Sequence, residues 1–168
     1  MKQKIIYLLI GPKGGGKSYI GSLIDRHFNV KFVRVEDWAK AVKRDREIDD
    51  QAYIKEVFRE IETGIRKELL NTDRVVFEST GLSNDFDKML ERLQSDYTVR
   101  SVKINAPDEL CLTRVRTRDR SIHVDVSDDQ VDRINKQVKE KRIPTDFSIT
   151  NSNKTDLELI DELKRIIK

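Results

Sequence analysis

The sequence holds a single cysteine among 168 residues, so no internal disulfide can form, and the cytoplasm, a reducing compartment, is the expected setting. Long apolar stretches are missing too. The longest, IIYLLI (Ile5 to Ile10), is far too short to span a bilayer and runs straight into glycines, unlike a signal peptide. No membrane partner is expected. A dominant charge is absent: 33 Lys and Arg face 30 Asp and Glu, a net +3, too little to argue nucleic-acid binding by itself. There is no low-complexity tract, no repeat and no linker, so residues 1–168 read as one domain. The two histidines, His27 and His123, have no metal-like partners in the sequence and read as ordinary surface or core residues.

What is present is an alternation of apolar runs and helical patterns. Strands are expected at Lys4 to Ile10, Val30 to Val35, Arg74 to Glu78, Thr98 to Ile104 and Asp146 to Thr150. The first and third are solid apolar runs, as strands buried on both faces should be. Between them, Ile54, Val57, Phe58, Ile61, Ile65 and Leu69 recur at helical spacing. Ser127 with Gln130, and Thr155 with Glu158, form capping-box pairs, and Pro107 suits the first turn of a helix. Such a βαβα order predicts an α/β fold, a parallel sheet with helices on both faces.

Directly after the first strand stands GPKGGGKS, which fits G-x-x-x-x-G-K-[ST] as Gly11, Gly16, Lys17 and Ser18, with Gly14 and Gly15 inside. The physics asks for this placement between a strand and a helix. A glycine-rich backbone curls tightly, its N–H groups turn inward, and the helix N-terminus adds partial positive charge. Lys17 would reach the β- and γ-phosphates of a nucleoside triphosphate, and Ser18 would ligate Mg²⁺. The bland alternative is a mere glycine turn. No N-K-x-D guanine-reading segment, second ATPase domain or hhhhDE strand accompanies the loop, which leaves a small kinase among the phosphate-handling classes.

Two strand ends carry acids. VRVEDWAK places Glu36 or Asp37 at the C-terminal edge, where an acceptor hydroxyl would lie and a carboxylate would take its proton. The alternative for Asp37 is a helix N-cap. VVFESTG brings Glu78 and Thr80 to the same edge, toward a ligand or the waters of a metal. Further on, Arg114 and Arg118 lie four apart on one helical face, followed by a short loop, as a phosphate-clamping lid requires; the alternative is a solvated face paired with Asp119, Asp125 or Asp128.

Taken together, GPKGGGKS, VEDWAK, FESTG and APDELCLTRVRTRDRSIHVDVSDDQV resemble the small P-loop kinases around bacteriophage polynucleotide 5′-kinase, zeta-toxin kinase and chloramphenicol phosphotransferase. The resemblance implies the P-loop NTPase fold, a five-stranded parallel sheet in the order 2-3-1-4-5 with an Arg-rich lid. It implies ATP and Mg²⁺, and Asp37 as general base with Lys40 three residues on, Glu36 being the rival assignment. Glu78 and Thr80 would touch substrate, Arg114 and Arg118 would be the lid arginines, and the loop from Asn151 to Asn153 would lie near the adenine. Where polynucleotide kinases usually carry Asp-Thr-Asn this chain has Ser-Thr-Gly, and Trp38 fills a commonly polar position. The expected activity is ATP-dependent phosphorylation of a hydroxyl, foremost the 5′-hydroxyl of a polynucleotide or nucleoside. Lys40, Lys43, Arg44 and Arg46 would lay the phosphate track a nucleic acid needs. The alternatives are a kinase for a nucleotide or small metabolite, and a non-catalytic ATP-binding module.

Overall fold

The computed structural model of the protein describes residues 3–168. Five strands, β1 (Ile5–Ile10), β2 (Lys31–Phe32), β3 (Arg74–Ser79), β4 (Thr98–Asn105) and β5 (Phe147–Thr150), form one parallel sheet in the order β2-β3-β1-β4-β5. The order is the expected one. Six helices connect the strands, α1 (Lys17–Phe28), α2 (Val35–Lys43), α3 (Gln51–Asn71), α4 (Asn84–Asp96), α5 (Asp108–Thr117) and α6 (Asp128–Lys141), and α7 (Asp156–Ile166) follows β5. Both capping boxes form, at Ser127 and Thr155. Among the described residues no helix is long and apolar enough to cross a membrane.

The central strand serves two cores, because successive side chains of a strand point to opposite faces. Ile6, Leu8 and Ile10 of β1 pack with Val75 and Phe77 against the buried stripe of α3 (Tyr53, Val57, Ile61, Ile65, Leu69) and against α4. Tyr7 and Leu9 join Val76, Val102, Ile104 and Ile149 against α1 and α7. This burial on both faces is why β1 and β3 read as unbroken apolar runs.

The second strand departs from expectation. Val30 to Val35 reads as one strand, but pairing covers only Lys31 and Phe32, and α2 begins at Val35. Phe32 pairs beside Val76 and the ladder stops there. Each residue of a helix turns by about 100°, so Glu36 and Asp37 leave the sheet edge in different directions.

A glycine fixes how α2 sits on α3. The Trp38 indole of α2 lies so close to Gly64 of α3 that a methyl group there would overlap the ring carbons. Gly64→Ala would gain about 1 kcal/mol of helix propensity, but a rigid indole cannot yield as a flexible chain would, and overpacking costs about 1–3 kcal/mol. We expect a lower Tm with an altered Trp38 emission, Trp38 being the sole tryptophan. A raised Tm with unchanged fluorescence would show that α2 does not depend on this contact.

Candidate active site

The loop between β1 and α1 is held by four other elements. Gly14 and Gly16 have φ of 76° and 87°, a region costly to any side chain. A Cβ at Gly14 would strike the Cys111 carbonyl, and one at Gly16 the Asn151 side-chain amide. The Gly15 N–H donates back to the Pro12 carbonyl (3.1 Å), and the Gly11 N–H to the Ser79 carbonyl (3.3 Å), tying the loop to the end of β3. From α6, buried Asn135 accepts from the Lys13 N–H (2.7 Å) and donates to the Lys13 carbonyl (3.0 Å). From the end of β5, Asn151 donates to the Gly15 carbonyl (3.1 Å). From α5, the Arg114 guanidinium spans the Gly14 carbonyl (3.2 Å) and the Asn151 carbonyl (3.1 Å). Asn151, expected near the adenine, is thus buried behind the loop as one of its braces. Asn135 carries no signal in the sequence, since its role comes from α6 crossing the loop.

Lys17 and Ser18 open α1 against the end of β3. The Lys17 ammonium is buried; it donates to the Pro12 carbonyl (2.7 Å) and faces Glu78 Oε2 at 3.8 Å. Burial pushes its pKa below the ordinary lysine value, against the opposing pull of Glu78. The Ser18 hydroxyl donates to Glu78 Oε1 (3.1 Å). Thr80 lines the same cavity just beyond Glu78. A triphosphate fits this cradle of a tightly curled glycine loop at the N-terminus of α1, a desolvated ammonium and a hydroxyl–carboxylate pair. Ser18 and Glu78 are the side chains that would hold Mg²⁺ beside it, where the ion would neutralise phosphate charge. Among the described residues no three metal-ligating side chains converge, so the protein alone offers no complete cation cage.

The two acids of α2 part company. Glu36 turns into the cavity, where its carboxylate lies 4.0 Å from Lys13 Nζ and 3.4 Å from His123 Nδ1, and accepts the Val124 N–H (2.9 Å). Burial alone would raise its pKa, but Lys13, the Val124 N–H, Arg118 and His123 together hold it below the ordinary carboxylate value. Asp37, the first choice from the sequence, is not brought there. Its carboxylate faces Arg34 at 3.5 Å and is more than half exposed. The cause is the early start of α2, which points the second acid away from the loop. His123, taken from the sequence as ordinary, lines the cavity, and its Nδ1 is buried without a hydrogen-bond partner.

The segment between α5 and α6 lies over the site. Arg118 donates to the Val124 carbonyl (2.8 Å) and lines the cavity beside Arg114. Lys40 of α2 donates to the carbonyls of Arg120 (3.1 Å) and Ser121. The surface pairs involve the neighbours of the lid arginines: Arg116 pairs with Asp128 (2.6 Å) and Arg120 with Asp125 (3.9 Å). Of the four cations read as a nucleic-acid track, Lys40 and Arg46 are engaged within the protein. Lys40 is tied to the segment between α5 and α6, and Arg46 pairs with Glu56 (2.9 Å) over the Tyr53 ring.

The cavity enclosed by these parts has a volume of about 720 Å³, within the range of small-ligand sites. One end is the glycine loop with Lys17, Ser18, Glu36, Glu78, Arg114 and Arg118; the rest is walled mainly by apolar residues of α3 and the turn after β3, with Ile134 of α6 and the polar Gln51, Ser83, Arg133 and Gln137 among them.

Comparisons with known proteins agree with this fold. No curated protein matches the sequence. Solved structures match throughout: shikimate kinase from Bacteroides thetaiotaomicron at 18% identity, covering 96% of this chain and 97% of that one (TM-score 0.64), and APS kinase from Mycobacterium tuberculosis, in complex with AMPPNP and APS, at 13% identity, covering 99% and 98% (TM-score 0.64). The Pnkp1/Rnl/Hen1 RNA repair complex matches at 14% identity over 86% of this chain and 48% of that one (TM-score 0.68). At these identities the likeness establishes the fold. The AAA domain family matches residues 6–141, well over half of the chain, and the protein therefore belongs to that family, with the fold of its small P-loop kinases.

Proposed function

We propose that the protein is an ATP-dependent kinase that phosphorylates the hydroxyl of a small acceptor, with Glu36 as general base. The observation that carries this reading is the carboxylate of Glu36 facing the glycine loop from inside the cavity, tied to the lid at Val124. A module that only binds ATP needs no carboxylate there. The loop and Lys17 would hold the β- and γ-phosphates, and bound Mg²⁺ would neutralise charge on them. The acceptor oxygen attacks the γ-phosphorus, its proton passes to Glu36, and the bond to the ADP oxygen breaks. Arg118, at the cavity wall, would stabilise the charge on the transferred group. Arg114 would act at one remove, by holding the loop through Gly14 and Asn151.

A small acceptor is favoured over a polynucleotide end because Lys40 and Arg46, half of the expected track, are engaged within the protein. The test is incubation with γ-labelled ATP, Mg²⁺ and a panel of hydroxyl compounds, including a 5′-hydroxyl oligonucleotide. Label in a small acceptor supports the proposal; label in the oligonucleotide alone refutes the choice of acceptor, and label in none, with no ADP formed, refutes the kinase.

The two arginines should separate. Arg118→Ala is expected to slow transfer by about 10²-fold or more while stability stays within about 0.5 kcal/mol, the usual range for a residue outside the core. Arg114→Ala should lower both, because two loop carbonyls lose their donor. Transfer rates read beside thermal denaturation check this, and a Tm loss equal in the two variants would contradict it.

A further inference from the structure

The cavity is larger and more apolar than phosphates require. Away from the loop its wall is mostly apolar, with Ile54 and Phe58 of α3, Leu82 after β3, Val126 before α6 and Ile134 of α6, and Gln51, Ser83 and Gln137 set polar groups among them. Ile54 and Phe58 are only half-buried, so part of their surface remains open. Five Lys and Arg residues line the cavity. Lys13, Lys17, Arg114 and Arg118 belong to the loop and the lid; the fifth, Arg133, faces Asp49 at 3.7 Å. An acceptor with a phosphate or carboxylate on its far side would have to break that pair to find a cation, while its apolar walls would gain nothing from it. A sugar-like polyol would find partners in Gln51, Ser83 and Gln137 but would set its remaining hydroxyls against the apolar side chains.

We infer that the acceptor is a neutral alcohol with an aromatic or branched apolar body, seated between α3 and α6 with its hydroxyl toward Glu36. This rests on the phosphotransfer reading above and adds to it the class of substrate. The base lies at the polar end of the same cavity, so the apolar body and the reacting oxygen are sorted by the environments they prefer. Burying the body against α3 would orient the hydroxyl before transfer, which lowers the entropic barrier of a two-substrate reaction.

The test uses the full chain, Mg²⁺ and γ-labelled ATP with three probes at equal concentration: benzyl alcohol, glucose and a 5′-hydroxyl oligothymidylate. Benzyl alcohol should take label at least about tenfold faster than glucose, the ratio expected for burying one aromatic ring. Faster labelling of glucose or the oligonucleotide would overturn the inference. A second measurement is independent of turnover. Saturation-transfer NMR with a non-hydrolysable ATP analogue should show benzyl alcohol in contact with the protein, and Ile54→Asn and Ile134→Asn, on two different helices, should each weaken it several-fold. No contact, or equal contact in wild type and both variants at unchanged Tm, would overturn it as well. Failure of the kinase reading has a separate signature, ATP turnover that Lys17→Ala leaves unchanged.

Discussion

Replacing Lys17 by alanine is expected to abolish phosphoryl transfer. Lys17 is the motif's own cation, buried at the mouth of the loop and positioned by the Pro12 carbonyl and Glu78. Removing one desolvated electrostatic contact of this kind costs about 3–4 kcal/mol of transition-state stabilisation, or roughly 10²–10³ in rate. Burial penalises the charged ammonium, holding its pKa below the ordinary lysine value, but a neutral residue also leaves buried Glu78 without its cation and the Pro12 carbonyl without its donor. Lys17→Met, which keeps the stem, should therefore melt somewhat lower than wild type without nucleotide while remaining folded, and should lose the added stability that ATP confers. Turnover within tenfold of wild type would refute the role given to the loop.

The second large effect belongs to Glu36. Glu36→Gln keeps an acceptor for the Val124 N–H but cannot take a proton, so transfer should fall by about 10²–10⁴, the range for a general base. Asp37→Asn should change the rate only a few-fold, because that carboxylate faces Arg34 at the surface. The reverse outcome would restore the assignment favoured from sequence. The pH dependence has a definite sign. Lys13, the Val124 N–H, Arg118 and His123 outweigh burial and hold the Glu36 carboxyl below its ordinary value of 4.5. The ionised base therefore persists through neutral pH and is lost only on acidification below that value. As a depressed acid it adds stability above 4.5 and loses it as pH falls through its lower folded value. Denaturation of wild type and Glu36→Gln should thus converge in acid.

Much of the fold was legible in the chain because its signals are local. The solid apolar runs of β1 and β3, the helical spacing of Ile54 to Leu69 and the capping boxes at Ser127 and Thr155 each depend on neighbours within a few residues. The glycine loop was legible for the same reason, since Gly14 and Gly16 need their positive φ whatever surrounds them. The adjacent acids of VEDWAK were legible only as a pair. Which one meets the loop depends on α2 starting at Val35, and that start follows from where the β2 ladder beside β3 ends. Asn135, Asn151 and His123 gave no usable signal for the roles they take. They act across separations of 122 residues for Asn135 to Lys13 and 136 for Asn151 to Gly15, and His123 meets Glu36 from another element. The sequence by itself determined strands β1 and β3, the glycine loop between β1 and α1 and the placing of Lys17 and Ser18 at the start of α1, because steric and hydrogen-bonding demands there are satisfied within one strand–loop–helix unit. Only the tertiary structure decided which carboxylate faces the loop, what braces it and how apolar the rest of the cavity is, because those are properties of surfaces that meet only when α2, α3 and α6 have closed over the edge of the sheet.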